Sequence, residues 1–402
     1  MFKYASWLAP VLFVLLTITL PTCGGTDLTQ FQPKSTGAGG QTIGINTVDQ
    51  AVFQGNIYFT LDRNLYVLNG NKNLHQLTRK IDVRDPTVSP NGKWIAFDIR
   101  HQNWSDLAYM PASGGRWTVL RHGAGEYVYS TGADMPHSTA FWYAQPAWAP
   151  DSTHLLFLSD WAKTYTNPGV ASYLLDLQLF SISINDPTAS PQAVAYATYG
   201  DGGLRDPSYR PNHPNQIIYT SYRYDATGTQ QVIQLYLEDP NAISLNPGQY
   251  HPGIAGVEYD PAIALTPSAP NSANLEPTFS PNGNTLLYVR REDATHMSLY
   301  TMPVANVSVT NDANNANVGS QALAPYNHAS RLLTGKYLSQ PVWSSDGRQI
   351  IYLDNENDTF NIWLAHVTKN AQTGSYSIKD TPIQLTDAGG HLDADSRPCW
   401  TP

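Results

Sequence analysis

Disulfide chemistry has almost no place in this chain, because 402 residues hold only two cysteines, Cys23 and Cys399. A disulfide framework is therefore excluded, and burial of apolar surface has to hold the fold together. Charge is scarce as well, at 14% of residues, and basic charge is scarcer, with 23 Lys and Arg against 32 Asp and Glu for a net charge of −9. Nucleic-acid binding depends on clustered basic side chains meeting phosphates, so it is excluded as a partner class; basic ligands or metal cations suit the chain better. Catalytic signatures are missing too: there is no Gly-x-Ser-x-Gly elbow, no His-Glu-x-x-His and no phosphate-cradling Gly-rich loop. Beyond Trp7 to Leu20 the chain has no long apolar run, and that stretch of about 14 residues is short for a bilayer-spanning helix.

What is present in quantity is apolar and aromatic surface, with 41% hydrophobic residues including 24 Tyr and 10 Trp, a composition suited to half-buried sheets. Met1-Phe2-Lys3 and the following apolar run read as an export signal over residues 1–22. Its end, Leu20-Pro21-Thr22-Cys23-Gly24-Gly25, resembles the lipobox of bacterial lipoproteins, which implies lipidation at Cys23; plain secretion and an uncleaved anchor are the alternatives. Cys399 then reads as a free buried thiol, with a Cys23–Cys399 bridge as the other option. Residues 23–50 are rich in Gly, Thr, Gln and Ser and read as a flexible, lipid-anchored tether.

The rest of the chain, residues 51–402, is built on a repeated phrase. Asp85-Pro86-Thr87-Val88-Ser89-Pro90 recurs as Gln145-Pro146-Ala147-Trp148-Ala149-Pro150, Asp206-Pro207-Ser208-Tyr209-Arg210-Pro211 and Glu276-Pro277-Thr278-Phe279-Ser280-Pro281. The fifth and sixth copies are Gln340-Pro341-Val342-Trp343-Ser344-Ser345 and Arg397-Pro398-Cys399-Trp400-Thr401-Pro402. Each of the first five precedes a β-branched or aromatic run such as Lys93 to Phe97, and Asn91-Gly92, Asn282-Gly283 and Asp346-Gly347 read as two-residue hairpin turns. Third strands such as Ser298 to Met302 and fourth strands such as Arg331 to Thr334 complete four-stranded antiparallel units. Residues 57–78 supply three strands that lack a first, and Arg397 to Pro402 supply a first that lacks three. The expected fold is all-β: a six-bladed propeller closed by pairing the C-terminal strand with the N-terminal three.

The phrase, with its Ile-Ala-Phe, Ile-Tyr and Leu-Thr strands, resembles the WD-like propeller repeat of the TolB family over residues 51–402. That resemblance implies a periplasmic propeller that binds a peptidoglycan-associated lipoprotein at one end of its channel. The chain departs from the family in having a tether where an N-terminal α/β domain stands, so a Tol-system role is left open.

In a propeller the first strands line the channel, which places Asp85, Gln145, Asp206, Glu276, Gln340 and Arg397 as a ring at one mouth. The carboxylates Asp85, Asp206 and Glu276 are candidates for Ca²⁺ or for a partner's basic side chain; alternatively each bonds neighbouring backbone or pairs with Arg84, Arg205 or Arg397. Tyr127, Tyr129, Phe141, Trp142, Tyr143 and Tyr165 fall in inter-strand insertions on one face and suit a protein, peptide or glycan surface, or else pack on their own blades. Asn306 to Asn327 reads as a floppy low-complexity loop, and His391-Leu392-Asp393-Ala394-Asp395 as a solvated loop or a metal triad. The expectation is a monomeric envelope binding module without catalysis or cofactor, with a protein or peptidoglycan-linked partner and the membrane reached through a lipid. The alternative is a cation-dependent glycan lyase or hydrolase using the mouth acids and His391.

Overall fold

The computed structural model describes residues 30–35, 42–125, 127–128, 137–138, 140–161, 176–195, 197, 202–225, 227, 229–241, 262–269, 273–308 and 316–402. Strands begin where the apolar runs begin. In Trp94–Arg100 the residues Ile95, Ala96 and Phe97 are fully buried, on both faces of the strand. A near-continuous apolar run of this kind is what a strand covered on both sides requires.

Around that strand Asp82–Val88, Trp94–Arg100, Ser105–Pro111 and Thr118–Arg121 form one antiparallel sheet in chain order. Tyr143–Trp148, His154–Ser159, Gln178–Ser183 and Gln192–Ala195 repeat the arrangement. So do Ala273–Phe279, Thr285–Arg291, Met297–Pro303 and Ser330–Leu333. Leu204–Arg210, His213–Tyr224 and Gln231–Glu238 take Ile263–Ala264 as their fourth strand, and Ser339–Trp343, Gln349–Glu356 and Thr359–Lys369 take Ile383–Gln384. Finally Asn56–Leu61, Asn64–Asn69 and Leu74–Gln76 receive Cys399–Thr401 as their first strand, with Tyr58 opposite Cys399 and Asn56 opposite Thr401. Trp400 fastens that junction, its Nε1 donating to the Gln54 carbonyl 346 residues away at 2.8 Å.

First strands lie beside first strands. Asp82–Val88 adjoins Tyr143–Trp148, which adjoins Leu204–Arg210, then Ala273–Phe279, Ser339–Trp343 and Cys399–Thr401, which returns to Asp82–Val88. The sheets stack face to face, and the apolar cores lie between them: Leu156 and Leu158 meet Ile217 and Tyr219, while Ile351 and Leu364 meet Ile57 and Phe59. Four-stranded sheets stacked about a common axis make a β-propeller.

Three local expectations change. The Asn-Gly turns are longer than two residues: Ser89 N–H donates to the Trp94 carbonyl, so four residues intervene, and Gly92 alone has a positive φ, at 70°. Asn91 serves by its side chain, its Oδ1 accepting from Ser89 Oγ and from Lys93 N–H, and Ser89 Oγ accepts from Trp94 N–H. Ser280 with Asn282 and Ser344 with Asp346 repeat this closure. In the third copy Arg210 stands where the serine would be.

The tether expected through residue 50 is also shorter than the composition suggests. Phe31–Ser35 and Thr42–Asn46 form an antiparallel hairpin whose second strand pairs with Thr386–Asp387. Alternation in Thr42-Ile43-Gly44-Ile45-Asn46 puts Ile43 and Ile45 on one face, where they enter the core that holds Phe59 and Leu364. Two isoleucines two residues apart outweigh the surrounding Gly, Thr and Gln. Within the expected loop 306–327, Ala316–Leu323 is an α-helix followed by a 3₁₀ turn over Ala324–His328, with Ala322 buried. Its alanine content favours helix, and Ala322 gives it something to pack.

Candidate functional site

Pairing between first and second strands jumps at the same place in five sheets: from Arg84 to Thr87, Ala144 to Ala147, Arg205 to Ser208, Leu275 to Thr278, and Ser339 to Val342. A β-bulge of this kind leaves an unpaired residue, which suits a proline lacking an N–H. The residue before each proline is then left-handed: φ is 50° at Asp85, 48° at Gln145, 57° at Asp206, 54° at Glu276 and 50° at Gln340. Such a conformation costs on the order of 1–3 kcal/mol for a non-glycine residue and persists only where its surroundings hold it.

What holds it is a circuit of hydrogen bonds from strand to strand. Gln145 Oε1 accepts from Asp206 N–H at 2.7 Å, Asp206 Oδ2 from Glu276 N–H at 3.2 Å, and Glu276 Oε2 from Gln340 N–H at 2.5 Å. Asp85 Oδ1 accepts from Arg397 N–H at 2.9 Å, and Asp85 N–H donates to Ser396 Oγ at 2.9 Å. Arg397 does more than join the circuit. Its Nε donates to the adjacent Gln340 Oε1 at 3.3 Å, and its Nη2 lies 3.6 Å from Asp206 Oδ1 on the opposite side of the ring, so the guanidinium spans the mouth. The six residues expected at the mouth are thus brought together. Behind them is a cavity of about 160 Å³ walled by Pro86, Pro146, Pro207, Pro341, Pro398 and Cys399.

The site is acidic and largely buried. Burial pushes the Glu276 carboxyl up to about 8, with the neighbouring Asp206 charge adding to the effect and Gln340 N–H and Arg397 opposing it. Burial also raises Asp85, against its bond from Arg397 N–H. Sequence reasoning misses a further acid of the group, Asp98, which is fully buried on the second strand opposite Arg84. Its carboxyl is raised well above the carboxylate range by burial and by Asp85, with Arg100 and the Gln145 N–H opposing. Neither Asp98 oxygen nor Asp85 Oδ2 makes a well-formed hydrogen bond, and Arg100 Nε stands 3.6 Å from Asp98 Oδ2. The signal in the sequence is one acid inside an apolar strand, Ile95-Ala96-Phe97-Asp98-Ile99.

Of the two readings open for the mouth carboxylates, the geometry matches bonding to neighbouring backbone: Asp206 and Glu276 accept from the following first strand's N–H and Asp85 from that of Arg397, and among the described residues no three His, Cys, Asp or Glu side chains are placed to hold a metal. The His391 triad is split as well: His391 faces Asp62 at 3.1 Å, Asp393 pairs with Arg84 at 3.0 Å and Asp395 with Arg100 at 2.6 Å. Of the expected aromatic face, Tyr143 is buried, its ring 5.7 Å from that of Phe157, and Phe141 packs against the same core, because Tyr143 belongs to a first strand. Trp142 is half-buried, with its N–H on Asp160 Oδ1. Tyr127 lies in the two-residue strand Tyr127–Val128. Tyr129, Tyr165 and Cys23 lie outside the described residues. Cys399 is a free thiol, half-buried against the cavity, and burial pushes it up to about 11.

The site and its frame define a β-propeller with an acidic channel mouth. No protein-family model matches the chain, and no curated protein matches its sequence. Solved structures do. TolB from Acinetobacter baumannii is 14% identical with a TM-score of 0.53, the match covering 89% of this chain and 68% of that one. A putative TolB from Agrobacterium tumefaciens is 11% identical with a TM-score of 0.47, covering 87% and 99%. An oligogalacturonate lyase in complex with manganese is 13% identical with a TM-score of 0.44, covering 86% and 82%. At these identities the likeness is one of fold: the chain has a TolB-like β-propeller fold.

Proposed function

We propose that this chain is a cell-envelope binding module. On this reading it is a six-bladed propeller, closed where Cys399–Thr401 pairs with Asn56–Tyr58, and it holds a basic segment of an envelope protein or peptidoglycan-linked partner at its channel mouth. The export signal over residues 1–22 and lipidation at Cys23 keep it, as a monomer, on the outer side of a membrane. Binding without turnover is the proposal. The cation-dependent glycan enzyme needs ligating groups in one place, and the mouth acids are instead committed to the ring.

The observation that carries the reading is the buried ring of Asp85, Asp206 and Glu276 with Asp98 beside it, answered by Arg397 and Arg100, with Asp85 Oδ2 and both Asp98 oxygens short of hydrogen-bond partners. Asp85→Asn tests it. Asn tolerates a positive φ and keeps an oxygen for Arg397 N–H, so the fold is retained while the charge goes. Cross-linking of the full-length protein in envelopes, read by mass spectrometry, should yield a partner that Asp85→Asn captures about tenfold less, equivalent to about 1.4 kcal/mol. An identical partner profile for the two proteins sinks the proposal.

A further inference from the structure

A second cavity, of about 670 Å³, opens where the N-terminal hairpin docks on the outer strands of the last sheet, and none of the mouth residues lines it. One wall is Gln30, Asn46, Val48, Asp49, Gln50 and Val52; the other is Trp363, His366 and the segment Asp380 to Gln384. The hairpin makes this cavity, and it is fixed there: Asn46 N–H donates to the Leu385 carbonyl at 2.9 Å and Asn46 Nδ2 to the Gln384 carbonyl at 2.8 Å.

Its chemistry is selective. Trp363 is half-buried, and its Nε1 is the buried part, so the indole offers ring carbon to the cavity. Around it stand the amides of Gln30 and Gln50 and the imidazole of His366, which donate and accept, and the carboxylates of Asp49 and Asp380, which accept. No Lys or Arg is among the lining residues. A flat apolar ring amid neutral amides and carboxylates matches a pyranose, which shows C–H groups on one face and hydroxyls at its edge. Asp49 and Asp380 disfavour an anionic sugar, since like charges close together cost several kcal/mol and the only basic group among the lining residues is the His366 imidazole, 4.0 Å from Asp380. The volume lies within the range of small-molecule pockets and has room for a short oligosaccharide.

We propose that this cavity binds a neutral or N-acetylated glycan segment through Trp363, Asp49 and Asp380, independently of the channel mouth. Isothermal titration of the full chain with an N-acetylglucosamine tetramer, a glucose tetramer, trigalacturonate and tetralysine tests it. A neutral or N-acetylated tetramer should bind with a Kd between about 10 μM and 1 mM, and trigalacturonate at least tenfold more weakly. Trp363→Ala should abolish binding. Because that substitution also touches packing, Asp380→Asn, at an exposed side chain, is the second variant, and it should weaken binding at least fivefold with the far-UV spectrum unchanged. Failure of both neutral tetramers to bind at 10 mM, equal binding of trigalacturonate, tetralysine binding in their place, or full binding by Asp380→Asn would each overturn the assignment.

Discussion

Replacing Glu276 by Gln isolates the electrostatic cost of the channel mouth. The wild-type carboxyl titrates at about 8 in the fold, raised by burial and by Asp206, against an ordinary value of 4.5 in the unfolded chain. A group whose folded pKa is raised favours the fold while it stays protonated. Its contribution is therefore complete below pH 4.5 and is lost as the pH climbs through 8. Every tenfold change in proton affinity between the folded and unfolded chains is worth about 1.4 kcal/mol, so the ceiling is about 5 kcal/mol; the part of the side chain that reaches water lowers this to about 2–4 kcal/mol. Gln has the same shape, keeps an oxygen for Gln340 N–H and does not ionise. Urea unfolding followed by tryptophan fluorescence from pH 4.5 to 8.5 should show the wild type losing stability relative to Glu276→Gln by about that amount. The two should agree at the acid end and diverge above pH 5. Parallel curves, or divergence only below pH 4.5, would refute the claim that Glu276 is held neutral by the ring.

Two further substitutions probe the frame. Arg210 is 1% exposed and no carboxylate among the described residues pairs with it; it donates to the Gly283 and Ala305 carbonyls and to Gln216 Oε1, tying the third copy of the phrase to the fourth. Arg210→Ala strands those acceptors and should cost about 3–5 kcal/mol in urea unfolding, while Arg210→Lys should recover part of the loss. Ile45 is fully buried in the core shared by the hairpin and two sheets, so Ile45→Ala should cost about 2–4 kcal/mol; a free tether would show no change.

Much of the propeller can be read from residue order, because a phrase repeated six times forces one supersecondary unit and its turn residues name its own boundaries. The mouth ring can be found for the same reason, since the position before each proline is polar in every copy. Its conformation cannot. Gln and Glu carry no mark of a positive φ, and the bonds that hold Asp85 or Glu276 left-handed come from strands 64 to 312 residues distant. An aromatic run before a repeat looks like a loop, which suggests a surface position for Tyr143, whereas the strand starts there and turns its ring inward. Thr42 to Asn46 and Ala316 to Leu323 share a different difficulty: low-complexity composition conceals two isoleucines at spacing two and one buried alanine, and tertiary docking supplies the rest.

The junction between Tyr58 and Cys399 also imposes a schedule on biosynthesis. Asn56–Leu61 leaves the ribosome early, yet the strand that pairs with its open edge is translated only after five other sheets have had time to form. At elongation of roughly 5–20 residues per second, that edge stays bare for at least tens of seconds. An unpaired strand edge is a template for association with other chains, so the first sheet, until Cys399–Thr401 reaches it, is where a holding chaperone would act.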